Sequence, residues 1–313
     1  MRFAPRHRRA ATIAIALILV LSFLGALSQL APRAKAQTLT FGLGSWTEYI
    51  DYGAAVGSSG IGGTQIYGNS CVDYQSDVYC VGGESYNTAT IISNVYYADV
   101  LPSGGLTSWT ETTDYGAITG DSGRGGTGVE WPSCVESSGY IYCIGGSTPA
   151  SAYSSKVFYA QLNPNGVGPW TETTDYGATS GSTGSGGIGV FQASCVADGG
   201  FVYCVGGTNV GTSKVFYAQL TPNGVGPWTE TTNYGAASGS SGTGGLAVSG
   251  TACTDDLGYI LCVGGDVEFT PSSDVFYAPL NGGAGVGPWT ETTDYGATTG
   301  YSGTGGVDVF GTS

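Results

Sequence analysis

The sequence predicts an all-β fold: a β-propeller of four full four-stranded blades and a partial fifth, preceded by a hydrophobic N-terminal helix or signal. Three observations carry this. A motif of about sixty residues recurs four times; no segment after Gln37 shows a helical hydrophobic period; and short aromatic or β-branched runs alternate with Gly, Asn and Ser.

The N-terminal segment comes first. Arg2, Arg6, Arg8 and Arg9 precede an apolar run from Ala10 to Leu27, and Ala34-Lys35-Ala36 supplies small residues before Gln37. Basic, apolar, then cleavable is the order of a secretory signal, with cleavage expected after Ala36. The alternative is an uncleaved membrane anchor, since Ala10 to Leu30 carries no charge. Residues 1–36 are therefore read as signal or anchor and 37–313 as the repeat array. The expected location is secreted or at the extracellular cell surface, with membrane contact only through an uncleaved N-terminus.

Removal of that segment leaves Arg124, Lys156 and Lys214 against 23 acidic residues, a net charge of −20. Nucleic acid is excluded as a partner by that balance. Acids with so few lysines suit acidic or cation-rich surroundings.

The repeat defines the blades. Trp46, Trp109, Trp170, Trp228 and Trp289 recur at intervals of 63, 61, 58 and 61 residues, each followed by Thr-Glu. Between tryptophans the order is constant: a Gly/Ser stretch, a cysteine, a second cysteine nine residues on, a Gly-Gly pair and an aromatic β-rich segment. In the third unit Phe201–Val205 and Val215–Tyr217 read as strands, and Pro222-Asn223-Gly224 as the turn leading to the strand of Trp228. Four strands per unit, repeated, make a propeller blade.

Tyr203-Cys204-Val205-Gly206-Gly207, then Tyr217, then Trp228, resembles the kelch repeat, and the resemblance covers nearly all of residues 38 to 313. It implies that the glycine pair ends the second strand. It also implies that Tyr97, Tyr159, Tyr217 and Tyr277, with Trp109, Trp170, Trp228 and Trp289, pack between neighbouring blades. The spacing is longer than the roughly 50 residues usual for such repeats, and the excess lies in the Gly/Ser stretches.

The eight cysteines form the pairs Cys71 with Cys80, Cys134 with Cys143, Cys195 with Cys204, and Cys253 with Cys262, each spanning the turn between the first and second strands of one blade. Facing residues of an antiparallel pair are close enough to be bridged, so one local disulfide per blade is expected behind an export signal. The final segment, YSGTGGVDVFGTS, aligns with the start of a first strand, so the array is expected to continue past Ser313.

Candidate ligand contacts are Tyr115, Tyr176, Tyr234 and Tyr295 of the Asp/Asn-Tyr-Gly segments, expected to be partly exposed and able to stack on a glycan or a protein partner. Asp51, Asp114, Asp175, Asn233 and Asp294 beside them read as turn caps rather than cation ligands. The Gly/Ser loops such as GSTGSGG lack the helix start and lysine of a phosphate cradle.

Catalysis is constrained by absence. The one histidine, His7, lies in the N-terminal segment. This excludes the copper chemistry of the galactose-oxidising relatives that the kelch resemblance brings in, and serine–histidine or cysteine–histidine catalysis. A lone Arg124 cannot supply the arginine cluster of sialidase-like propellers. Paired carboxylates stay open, with Glu84, Glu130, Asp121, Asp266 and Glu268 breaking the repeat, whereas Glu48, Glu111, Glu172, Glu230 and Glu291 recur once per unit. The expected function is non-enzymatic binding of a protein or glycan, without cofactor or metal; the alternative is a carbohydrate-active enzyme.

Overall fold

A computed structural model describes residues 51–54, 63–118, 125–151, 153–179, 187–208, 211–236, 245–267 and 270–297. The N-terminal segment, Trp46, most of the Gly/Ser loops, Asp121, Arg124, Glu268 and residues 298–313 lie outside them. The described residues are all-β, forming six small antiparallel sheets and one short 3-10 turn at Gly282–Ala284.

Four sheets repeat one plan of four strands hydrogen-bonded in chain order, and in the second and third a short extra strand, Gly166–Val167 or Gly224–Val225, also pairs with the third strand. The first holds Ser70–Tyr74, Asp77–Val81, Val95–Asp99 and Thr110–Glu111; the second Ser133–Ser137, Tyr140–Ile144, Val157–Asn163 and Thr171–Glu172. The third holds Ser194–Asp198, Phe201–Val205, Val215–Thr221 and Thr229–Glu230; the fourth Ala252–Asp256, Tyr259–Val263, Val275–Pro279 and Thr290–Glu291. The first two strands of each unit meet in a tight hairpin, and in three units both turn residues have positive φ: Ser138-Gly139, Gly199-Gly200 and Leu257-Gly258. That conformation matches the twist of the flanking strands. The register sets each cysteine opposite its partner, and all four disulfides are formed, with Cα atoms 4.0 to 4.1 Å apart.

The units are joined by a recurring set of contacts. First strands lie side by side, and a serine of each accepts a hydrogen bond from a cysteine N–H of the next: Ser70 from Cys134, Ser133 from Cys195, Ser194 from Cys253. The glycine pairs follow from the same closeness. Gly83, Gly146 and Gly207 donate to the carbonyls of Val129, Val190 and Val248 in the following unit. A Cβ on the preceding Gly82, Gly145 or Gly206 would collide with those carbonyls.

The largest contact is a ring inserted across each boundary. Tyr115 stands edge-on to Phe158 and Trp170 of the next unit at 5.2 and 5.1 Å, Tyr176 to Phe216 and Trp228, and Tyr234 to Phe276 and Trp289. Tyr52 makes the same contact with Tyr96 and Trp109. Each edge-to-face pair contributes about 0.5–1.5 kcal/mol beyond burial. The Thr-Thr pair of WTETT clamps the same boundary. Thr112, Thr173 and Thr231 accept from the N–H of Val167, Val225 and Val286, while Thr113, Thr174 and Thr232 donate to the carbonyls of those valines. The indoles of Trp170, Trp228 and Trp289 donate to the carbonyls of Thr113, Thr174 and Thr232.

This corrects one expectation. Tyr115, Tyr176 and Tyr234 are not partly exposed; they are at most 2% accessible, and Tyr295 alone is open, at 49%. Asp/Asn-Tyr-Gly is a turn, as the sequence says, but its ring points inward because the gap between adjacent sheets has to be filled. Tyr97, Tyr159 and Tyr217 are half-buried. They stack within their own sheets on Tyr79, Tyr142 and Tyr203, and their ring edges lie close to Gly166, Gly224 and Gly285 of the following unit. Tyr277, also half-buried, pairs with Tyr259.

Two outcomes follow for stability. The Tyr176 hydroxyl is buried without a hydrogen-bond partner among the described residues. Tyr176→Phe will therefore match or exceed the wild type in thermal unfolding, by up to about 1 kcal/mol, whereas Tyr176→Ala will lose about 3–5 kcal/mol. Leu257 is 89% exposed at φ 51°; Leu257→Gly will raise the unfolding midpoint, by about 1 kcal/mol, because glycine carries no left-handed penalty.

Candidate functional site

Departures from the repeat mark where this array differs from a plain scaffold. The residue four before the first cysteine of each unit is Tyr67, Glu130, Phe191 and Ser249; the next is Gly68, Trp131, Gln192 and Gly250. These residues lead into the first strands, so they gather at one end of those strands. Tyr67 meets Trp131 at 6.4 Å between ring centroids, Trp131 meets Phe191 at 6.3 Å, and Phe191 meets Tyr153 at 6.0 Å. The result is an arc of four rings crossing three units. Tyr67 and Tyr153 are exposed, and Trp131 and Phe191 half-buried.

Trp131 is fixed by its neighbours. Its N–H donates to the Gly68 carbonyl, its φ is 53°, and its indole lies across Gly68, where a Cβ would meet the ring at 2.9 Å. Left-handed backbone at a bulky aromatic persists only where the surroundings enforce it. Sequence reasoning passed over Trp131, although a signal was present. It is the one tryptophan of six outside the Trp-Thr-Glu motif.

Beside the arc the fold joins two acids that the sequence left apart. Glu130 exchanges main-chain hydrogen bonds with Ser147 and lies near enough to Glu84 to feel its charge, and the Tyr67 hydroxyl donates to Glu84. Burial first, and then Glu84, push the Glu130 carboxyl above its ordinary range. The bond to Glu84 pushes the Tyr67 phenol up to about 12.

A cleft of about 790 Å³ adjoins the arc at Tyr153 and is lined also by Ile118, Thr148, Ser151, Lys156 and Glu172. Lys156 pairs with Glu172 at 2.8 Å. Lys214 and Glu230 repeat this pair one unit on, at 3.0 Å, and in the first unit Asn94 donates to Glu111. In the fourth unit the position belongs to Asp274, which stands with Glu291 and buried Asp294 so that one oxygen from each lies within 4.8 Å of the others. Among the described residues these carboxylates have the chemistry to hold a cation. The acids of the turns are otherwise structural: Asp114 and Asp175 accept from Ser93 and Ser155. A second cavity, of about 390 Å³, is bounded by the first strands of all four units, with Asp73, Glu136 and Asp255 among its walls.

Of the candidate ligand contacts, Tyr115, Tyr176 and Tyr234 are withdrawn into the unit boundaries, and Tyr295 stays at the surface, apart from the arc. No protein-family model matches this chain, and no curated protein matches it.

The raised Glu130 carboxyl gives a signed pH dependence. A carboxyl raised in the folded state is bound to its proton more tightly there than in the unfolded chain. The stability it contributes is complete below the ordinary value of 4.5 and is lost as pH rises through the raised one. The unfolding midpoint of the wild type will therefore climb as pH falls from neutrality toward 4.5. Glu130→Gln will flatten that slope, which thermal scans of both proteins across this range will measure.

Proposed function

We propose that this chain is an extracellular, non-enzymatic binding scaffold whose four-sheet array is a kelch-like propeller, and that it holds a glycan or protein ligand on the arc of Tyr67, Trp131, Phe191 and Tyr153 and in the adjoining cleft. The observation that carries this reading is the arc itself. Aromatic rings at a surface cost little rotamer entropy on binding and present flat apolar area to sugar rings or to partner side chains. Three of the four rings take positions that the fourth unit fills with small residues, so the arc is not needed to build a unit.

Four disulfides support an oxidising, extracellular setting. No helix among the described residues is long and apolar enough to cross a membrane. The propeller reading is supported by first strands arranged side by side around a shared cavity and by sheets whose strands run outward in chain order.

The enzymatic alternative would draw on two of Glu84, Glu130, Asp266, Asp121 and Glu268, the last two of which lie outside the described residues. Glycosidases hold their carboxyl groups about 5–5.5 Å apart when retaining and about 6.5–9.5 Å apart when inverting, and product analysis on the titrated chain separates that reading from binding.

The reading is tested by titrating the disulfide-bonded chain with soluble neutral oligosaccharides of several linkages, followed by calorimetry and by product analysis. Binding without turnover is expected. Trp131→Ala should weaken it by about ten- to a hundredfold while leaving the unfolding midpoint within a few degrees. Turnover, or binding indifferent to both Trp131→Ala and Tyr153→Ala, would overturn it.

A further inference from the structure

Where the chain enters each first strand, one residue takes left-handed backbone: Gly68 at φ 68°, Trp131 at 53°, Gln192 at 57° and Gly250 at 62°. One main-chain bond recurs there, the N–H of Trp131 donating to the Gly68 carbonyl and that of Gly250 to the Gln192 carbonyl. Glycine is the residue this position favours, because it has no Cβ to meet the following carbonyl. The second and third units forgo it and accept a backbone penalty that the first and fourth avoid. Strain kept where glycine would serve concentrates at ligand-binding places.

The two strained residues line one cavity. Its volume is about 50 Å³, and its wall also holds Asn69, Pro132, Ala193 and Thr251. Trp131 belongs both to the arc and to this wall, so whatever lies on the arc has the cavity beside it. The wall combines two chemistries. Trp131, Pro132 and Ala193 bring apolar surface, while Gln192 and Asn69 bring carboxamides, each with donors and an acceptor. The Thr251 hydroxyl is already given to the Val263 carbonyl, and the Asn69 amide reaches the Cys71 sulfur, a weak acceptor. At about 30 Å³ for each water, the cavity has room for one or two; it is sized for a substituent of a sugar ring rather than for the ring.

We propose, resting on the reading of the arc as a glycan surface, that this cavity is its specificity pocket: it takes the acetamido group of an N-acetylated sugar, and Gln192 is the residue that selects it. An acetamido group carries one methyl, one N–H and one carbonyl. The methyl matches Trp131, Pro132 and Ala193, and the amide pairs with the acceptor and donor of a carboxamide. A hydroxyl in the same place leaves the apolar wall uncovered and one of those polar groups unmatched, so it binds less tightly. The sugar ring itself stays outside, on Trp131 and the rest of the arc.

Calorimetric titration of the disulfide-bonded chain with paired oligosaccharides is the test: oligomers of N-acetylglucosamine against glucose, and of N-acetylgalactosamine against galactose, each pair of one linkage and differing only at the 2-substituent. The N-acetylated member of at least one pair should bind about tenfold more tightly or better. Gln192→Gly should reduce that preference to within about twofold and at the same time raise the unfolding midpoint by about 2–4 °C, since it relieves the left-handed penalty. A residue present only to hold the fold would lower the midpoint when replaced. Trp131→Ala should weaken both members of a pair, because it removes the surface they share. Equal binding of the two members, still dependent on Trp131, would overturn the pocket and leave the arc standing. Binding of no member would remove the glycan reading of the arc and the pocket together. A preference that survives Gln192→Gly would overturn the role given to Gln192.

Discussion

The structure depends on one packing constraint: neighbouring sheets leave a gap, and a single tyrosine ring fills it. Tyr52, Tyr115, Tyr176 and Tyr234 each enter between two rings of the following unit. The neighbouring contacts are geometrically tied to that insertion. The turn glycine after each tyrosine sits at φ 73–74°, which lets the chain reverse without withdrawing the ring. The threonines preceding Tyr115, Tyr176 and Tyr234 then fall on the next unit's main chain, and the tryptophan N–H of that unit closes on the alanine after the turn, as Trp170 does on Ala117. The ladder of serine and cysteine between first strands requires the same spacing. A bulkier or smaller side chain at the tyrosine would disturb all of these together, since close-packed interiors adjust little.

The walls of the cleft inherit this rigidity. Gly116, Phe158 and Trp170 belong both to the Tyr115 boundary and to the cleft lining, so part of its wall is set by core packing, and Ile118, Ser151 and Tyr153 supply another part. A cleft built in this way changes its chemistry by substitution at its outer wall without disturbing the boundary below it. The carboxyl pair and the arc occupy comparable places: Glu130 and Trp131 lie where the chain passes from one unit to the first strand of the next.

Much of this architecture was legible in the residues, and the part that was not has a physical explanation. Cysteines nine apart around a two-residue turn can face each other only in one hairpin register, so the disulfides could be read directly. The tryptophans recur with polar neighbours on a fixed pattern, and burial of an indole is a strong enough drive to place them. The direction of a turn residue is different. Asp-Tyr-Gly specifies a backbone reversal, but whether its ring meets solvent or a neighbour depends on what lies across the gap, and no local pattern in the sequence carries that. The candidate site was illegible for the same reason. Tyr67, Glu84, Trp131 and Tyr153 come from different turns of two units, and each alone resembles an ordinary loop residue. Only Trp131, as the tryptophan outside the motif, broke the pattern visibly.

The disulfides have a consequence for how such a chain is made. Every bridge joins residues nine apart within one hairpin, so its two thiols emerge together during synthesis, and the correct partner is the nearest one along the chain. Scrambling, which grows with the number of equally accessible thiols, is suppressed by proximity rather than by a isomerase-guided search over 105 pairings. Lengthening or shortening the array by a whole unit adds or removes one complete redox pair and leaves the others untouched. Gene duplication can therefore vary the number of units without creating an orphan thiol.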